Sequence, residues 1–164
     1  MVSRNIVKYA ERSVVYNVFN FPITNFIGFN QNDQLYVPEY QRELVWDQED
    51  KDYLIESIMM NMPIGNIFLN DRDSNHQYEV VDGQQRLDAI IGFYKNDYKW
   101  HGYYFKDLPH TMQVRFEMFS LATYITKYEN RSEIIELYYR INWAGENHSL
   151  EELIQFDELR REGR

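Results

Sequence analysis

The chain has 164 residues, 44% hydrophobic and 26% charged, a length that suits one compact domain whose core needs no staples. It contains no cysteine, which excludes disulfides, thiolate zinc sites and cysteine nucleophiles. Seventeen Lys+Arg against 26 Asp+Glu leave a formal charge of −9, the wrong field for coating duplex DNA through counterion release.

Taken in chain order, the Val/Tyr/Phe content of residues 14–21 predicts a strand, and residues 23–29 a short helix or turn. Asn30 to Asp33 reads as a loop, followed by a short strand at 35–37. Asp47 has the position of an N-cap, with Glu49 and Asp50 in the first turn. Leu54, Ile55, Ile58, Met59 and Met62 then recur at helical spacing until Pro63 ends the pattern. Residues 64–69 form a short apolar strand, 71–75 a polar turn and 78–81 a second strand, together a hairpin. A helix begins near Gln84, since Leu87, Ile90, Ile91 and Tyr94 resume at a period of about 3.6 residues.

Farther on, residues 98–105, with His101-Gly102 at the middle, predict an aromatic hairpin. A helix at 111–118 and a strand at 121–126 follow. Asn130 with Glu133, and Ser149 with Glu152, have capping-box spacing before two further amphipathic helices. Short strands mixed with amphipathic helices make an α/β (α+β) domain, expected to occupy residues 1–164 as a single unit. The longest apolar runs are far too short to span a bilayer, and the N-terminus does not read as a signal peptide, so a cytoplasmic protein is expected. The 14 tyrosines and 10 phenylalanines sit mostly among acids and apolar residues, which suits core and interface filling rather than base stacking.

The segment richest in chemistry is Tyr78-Glu79-Val80-Val81-Asp82-Gly83-Gln84-Gln85-Arg86-Leu87. A strand ends, a glycine lets the backbone turn or approach a ligand, and a helix opens at once. The first N–H groups of that helix have no internal partner and lie at the positive end of its dipole, where phosphate is a natural guest. Arg86 supplies a forked cation suited to phosphate oxygens. Gln84 and Gln85 are placed to donate to oxygens or orient a water, and Asp82 to hold a divalent cation or accept a proton. The plain alternative is a surface turn in which Arg86 pairs with Asp82 or Glu79. Upstream, Gln41 and Arg42 offer a second guanidinium to an anion, or Arg42 pairs with Glu39 or Glu43. Downstream, Arg140 and Asn142 stand where a helix ends near Gly145, facing a ligand or merely solvated.

Four motifs in order, Val-Pro-Glu-Tyr-Gln-Arg…Val-Trp, Met-Pro-Ile-Gly-Asn-Ile-Phe-Leu, Val-Val-Asp-Gly-Gln-Gln-Arg-Leu and Tyr-Arg-Ile-Asn…Gly…Ser…Glu-Glu-Leu, resemble one family. It is the N-terminal domain of GmrSD-type, modification-dependent restriction systems, within the ParB/sulfiredoxin-like group. The resemblance runs from about residue 23 to 156. It implies a ParB/sulfiredoxin-like fold and a site that binds and hydrolyses nucleoside triphosphates; on the chemistry of its carboxylate, Asp82 would hold Mg²⁺ or position water there. Asp82, Gln84, Gln85 and Arg86 would be catalytic, and Gln41, Arg42, Gly83, Arg86, Arg140 and Asn142 would bind nucleotide. It further implies restriction, phage defence or counter-defence, with a nuclease subunit or host restriction protein as partner and DNA engaged weakly or indirectly.

The sequence departs from the family at Glu43 and Leu44, where many relatives have proline and an aromatic, and at His148, usually aliphatic. Its four histidines (76, 101, 110 and 148) are scattered without metal-ligand spacing, and DNA cleavage by this chain alone is not expected. Two other readings stay open: a non-catalytic protein that pairs with or inhibits full-length restriction proteins, and a DNA-binding regulator, which the negative charge disfavours. The nucleotide reading needs a cavity beside the corner and an arginine not consumed by protein carboxylates.

Overall fold

A computed structural model describes residues 14–38, 41, 44–72 and 77–143. Strand β1 (Tyr16–Pro22) leads directly into helix α1 (Ile23–Gln31) and the two-residue strand β2 (Leu35–Tyr36). Helix α2 (Gln48–Met59) is followed by strands β3 (Ile67–Asp71) and β4 (Tyr78–Asp82), then helix α3 (Gln84–Lys95). A 3-10 turn (Phe105–Asp107), helix α4 (His110–Met118), strand β5 (Ser120–Thr126) and helix α5 (Arg131–Trp143) complete the order. The second predicted capping box at Ser149 and the helix after it lie outside the described residues, as do Arg42, Gly145, His148 and most of the polar turn between β3 and β4.

The five strands form one mixed sheet in the order β1-β5-β3-β4-β2. β1 with β5 and β3 with β4 are antiparallel, while β5 with β3 and β4 with β2 are parallel. This is the mixed α/β class expected. Side chains alternate between faces along each strand. Ile67, Leu69, Val80, Leu121 and Ile125 therefore point into the main core with Ile23 and Phe26 of α1, Ile55 and Ile58 of α2, Ile90 and Phe93 of α3 and Phe116 of α4. On the other face, Glu79 lines a cavity of about 140 Å³ with Arg131 and Ile134, so α5 covers β4 there, and Ile135 and Tyr139 form a separate small cluster.

Local signals are realised where they are self-contained. Asp47 caps α2 in a reciprocal box: the Asp50 N–H donates to Asp47 Oδ1 (3.0 Å) and the Asp47 N–H to Asp50 Oδ2 (3.2 Å). Asn130 caps α5 by accepting from the Ser132 N–H at 3.0 Å. The parallel β3–β5 pair is locked at its far end by Asn70, which is fully buried. Its Nδ2 donates to the Tyr128 carbonyl (3.1 Å), and its Oδ1 accepts from Thr126 Oγ1 and the Tyr128 N–H (both 2.8 Å).

Two predicted elements come out differently. The strand expected from residue 64 starts at Ile67, because the chain still turns at Gly65, with φ +87°. The aromatic hairpin expected over 98–105 shrinks to a single bridge between Trp100 and Tyr103. Tyr98, Trp100 and Phe105 pack their rings on Phe93 instead, at centroid distances of 5.7, 6.5 and 5.7 Å. Burial of large rings outweighs a two-strand ribbon that is only marginally stable by itself.

Candidate functional site

The C-terminal end of β4, the start of β3 and the loop after β2 meet at one end of the sheet. The pairing of β4 with β3 slips there: Leu69 faces Val80, but Phe68 faces Asp82, so β4 carries one extra residue. Simple alternation would send Asp82 to the core side with Val80. The bulge turns it opposite Phe68, whose ring stacks on Tyr124 at 4.7 Å on the other face.

Gly83 then caps α3 in the left-handed conformation (φ 99°, ψ 13°). A β-carbon at this position would lie 2.4 Å from Ile67 Cδ1, so only glycine fits both the angle and the space. The chain leaves β4 and enters α3 within one residue, and the opening N–H groups of a helix point away from its own carbonyls. This is the strand-turn-helix corner that the sequence predicted.

Arg86 crosses back over the corner. Its Nη2 donates to Asp82 Oδ2 and to the Asn66 carbonyl, each at 2.8 Å. Nη1 lies over Gly65, where a β-carbon would come within 2.7 Å of it. Nε is buried without a partner. A guanidinium has five N–H donors, and two are used. The pairing with Asp82 is the alternative that the sequence left open, and the side chain keeps 22% exposure.

The two glutamines diverge. Gln85 Oε1 accepts from the N–H groups of Val45 and Trp46, both at 3.2 Å, and so holds the loop after β2 against the start of α3. Gln84 is half-buried. Gln41 fastens the same loop from the other side, its Nε2 donating to the carbonyls of Val80 and Val81. Gln41, Asp82, Gly83, Gln84, Gln85 and Arg86 are thus gathered at one place. Arg140 and Asn142 bond within α5: Arg140 Nη2 to Glu136 Oε1 at 2.7 Å, and Asn142 Nδ2 to the Tyr138 carbonyl at 2.7 Å.

Sequence reasoning missed the segment Ile64-Gly65-Asn66 as part of the corner. Gly65 supplies the cradle for Nη1 and Asn66 the carbonyl for Nη2. A glycine between a proline-led turn and a strand was the available signal. The same segment lines a cavity of about 300 Å³ with Asn20, Asn61, Pro63 and Ser120. None of Asp82 to Arg86 lines that cavity, and one of the arginine's nitrogens is tied to a carboxylate.

The model of the GmrSD restriction endonuclease N-terminal domain matches residues 23–157. The chain belongs to this family. No curated protein matches it in sequence. Among solved structures it is similar to the C-terminally truncated chromosome-partitioning protein ParB from Caulobacter crescentus complexed with CTP-gamma-S, at 14% identity and a TM-score of 0.47, over 80% of this chain and 56% of that one. It is also similar to a Pnob8-like ParB-N domain at 13% identity and a TM-score of 0.46, over 92% of this chain and 47% of that one. The chain spans about half the length of these two proteins. In this GmrSD N-terminal domain, the run Asp82 to Arg86 forms the corner, and the motif around Gly65 forms its neighbouring wall.

Proposed function

We propose that this GmrSD N-terminal domain binds a nucleoside triphosphate at the β4–α3 corner and acts as a nucleotide-responsive module of a restriction or counter-defence system. The observation that carries the reading is the state of Arg86. Its guanidinium is positioned by Asp82 and Asn66 through one nitrogen and the side chain keeps 22% exposure, at the N-terminal turn of α3. Phosphate oxygens would meet a fixed cation and oriented amides at the positive end of α3. Among the described residues no three His, Cys, Asp or Glu side chains converge, so Mg²⁺ would enter with the nucleotide, held mainly by its oxygens, with Asp82 as the protein carboxylate at hand. Gln84 is the residue assigned to orient a water for hydrolysis, and Gln85 the one that positions the loop. Arg42, Arg140 and Asn142 are further nucleotide-binding candidates by family resemblance.

Binding without turnover, in service of a nuclease subunit or host restriction protein, is the second reading. It is favoured by Asp82 being already ion-paired and Gln85 already bonded to the loop. A thermal-shift series with Mg²⁺ and each nucleoside triphosphate, run with phosphate-release assays on the native chain, Arg86→Ala and Gln84→Ala, separates the readings. A nucleotide at about 100 times its Kd adds roughly 2.7 kcal/mol of stability, or about 5–10 °C for a chain of this size. Hydrolysis requires phosphate release that Gln84→Ala lowers while leaving the thermal shift intact. A shift without release supports the second reading. No shift with any nucleotide, in a native chain that melts cooperatively, refutes the nucleotide site.

A further inference from the structure

A local irregularity of the sheet aims Asp82 at Arg86. The extra residue of β4 sits between Val80 and Asp82, just before the corner, and bulges commonly re-aim a side chain in this way. The carboxylate then meets the guanidinium four positions later, Asp82 Oδ2 to Arg86 Nη2 at 2.8 Å. A second contact holds the arginine without any charge: the same Nη2 donates to the Asn66 carbonyl at 2.8 Å. Nη1 lies over Gly65, with no hydrogen bond to another described residue. The bulge therefore brings a negative charge to a cation that already has a neutral anchor. The Arg86 and Asp82 side chains keep 22% and 26% exposure, and ion pairs open to water are held weakly.

We propose that Asp82 is the selectivity residue of the corner, a role that rests on the nucleotide reading given above. Its carboxylate holds the anion position on Arg86 in the free protein. It refuses bare phosphate-type anions and admits polyphosphates that bring a divalent cation with them.

Charge decides which ligands enter. Both N–H groups of Nη2 are in use, one on Asp82 and one on Asn66, so a phosphate oxygen at this nitrogen competes with the carboxylate. An anion that opens the pair leaves the Asp82 charge beside it, and like charges at such range repel. The chain as a whole, at −9, adds to that repulsion. A polyphosphate complexed to a hard divalent cation meets a different balance, because such cations take carboxylate and phosphate oxygens together. The side chain that excludes the bare anion therefore favours the complex. An unpaired charge set against the wrong ligand is a common source of discrimination, and here it acts whether or not the bound nucleotide is hydrolysed.

Titration calorimetry of the full chain with tripolyphosphate and with each nucleoside triphosphate, in excess chelator and in excess Mg²⁺, tests the proposal. Asp82→Asn removes the charge and keeps an oxygen for Nη2. It is expected to bind the Mg²⁺-free polyphosphates about tenfold more tightly than the native chain does. The advantage that Mg²⁺ confers should shrink from about tenfold in the native chain to under about threefold in the variant. Such a gain in affinity does not arise from a damaged fold. Asp97→Asn controls for net charge, since Asp97 lies beyond the far end of α3, a helix of 12 residues and about 18 Å long; it should stay within about twofold of the native chain. Equal gains in the two variants would overturn the selectivity. So would a native chain that binds a Mg²⁺-complexed nucleotide while Asp82→Asn gains nothing without Mg²⁺, and that result leaves the nucleotide site standing. No binding of any of these ligands by the native chain or by Asp82→Asn, with or without Mg²⁺, would remove both.

Discussion

Adding one methyl group at Gly83 tests whether the corner is built as described. Two costs follow from the geometry. A residue with a β-carbon held at φ 99° is disfavoured by about 1–2 kcal/mol. The new carbon would also stand 2.4 Å from Ile67 Cδ1, and Ile67 is fully buried in the core, so the clash adds about 1–3 kcal/mol of overpacking. Gly83→Ala should therefore destabilise the fold by about 2–5 kcal/mol, lowering the melting midpoint by about 4–20 °C. The control is the same change at Gly28 inside α1, where a β-carbon meets nothing within 4 Å. There alanine should raise stability by about 0.5–1 kcal/mol through helix propensity. Differential scanning calorimetry of both variants gives the answer by sign. An unchanged midpoint for Gly83→Ala would refute both the left-handed cap and its packing on Ile67, and the proposed phosphate site at Gln84 to Arg86 would fall with them.

Three further outcomes are expected. Asn70→Ala takes the shorter of its two acceptors from the buried Thr126 hydroxyl and strands both backbone groups of Tyr128, and should cost about 2–4 kcal/mol in urea melts, far more than Asn130→Ala at an exposed cap. Asp47→Ala should cost about 0.5–2 kcal/mol and Asp47→Asn much less, read from midpoints of thermal melts, because the cap needs an acceptor for the Asp50 N–H. Burial, then the nearby Asp52 and Asp88 carboxylates, push the Tyr98 phenol well above its ordinary 10.0, and its hydroxyl donates to the Ala89 carbonyl at 2.7 Å. Above pH 10 the unfolded chain loses this proton while the folded chain keeps it. That contribution to stability is complete below the unfolded value and is lost as pH rises above it. Urea midpoints at about pH 9 and 11 should show the fall, and Tyr98→Phe should make it shallower.

Elements closed by neighbours in sequence were legible. The Asp47 box needs only residues three apart, and the end of β4, Gly83 and the start of α3 follow one another without a gap. What escaped were choices made by distant partners. Residues 64–66 look like the first half of an apolar strand, but Gly65 turns under Arg86, twenty-one positions later, and Asn66 gives that arginine its carbonyl. The stretch from Tyr98 to Phe105 has the aromatic content of a hairpin, yet Phe93 offers those rings a buried neighbour one helix earlier. Local pattern states what a segment is able to form, and packing decides among the options.

The glutamine pair shows the same limit inside the site. Adjacent positions on an α-helix project about 100° apart, so Gln84 and Gln85 cannot share a task, and sequence alone does not say which takes which. The structure commits Gln85 to the Val45 and Trp46 amides, Gln41 to the Val80 and Val81 carbonyls, and Arg86 to Asn66. Two loops from either side of β4 are therefore fastened to a single turn of helix. Any anion that drew Arg86 away from Asn66 would loosen the wall at Gly65. Any shift of α3 would pull on the loop that Gln41 and Gln85 hold. Coupling between a ligand at the corner and the surfaces of both loops is then a consequence of shared hydrogen bonds, with no long-range pathway required.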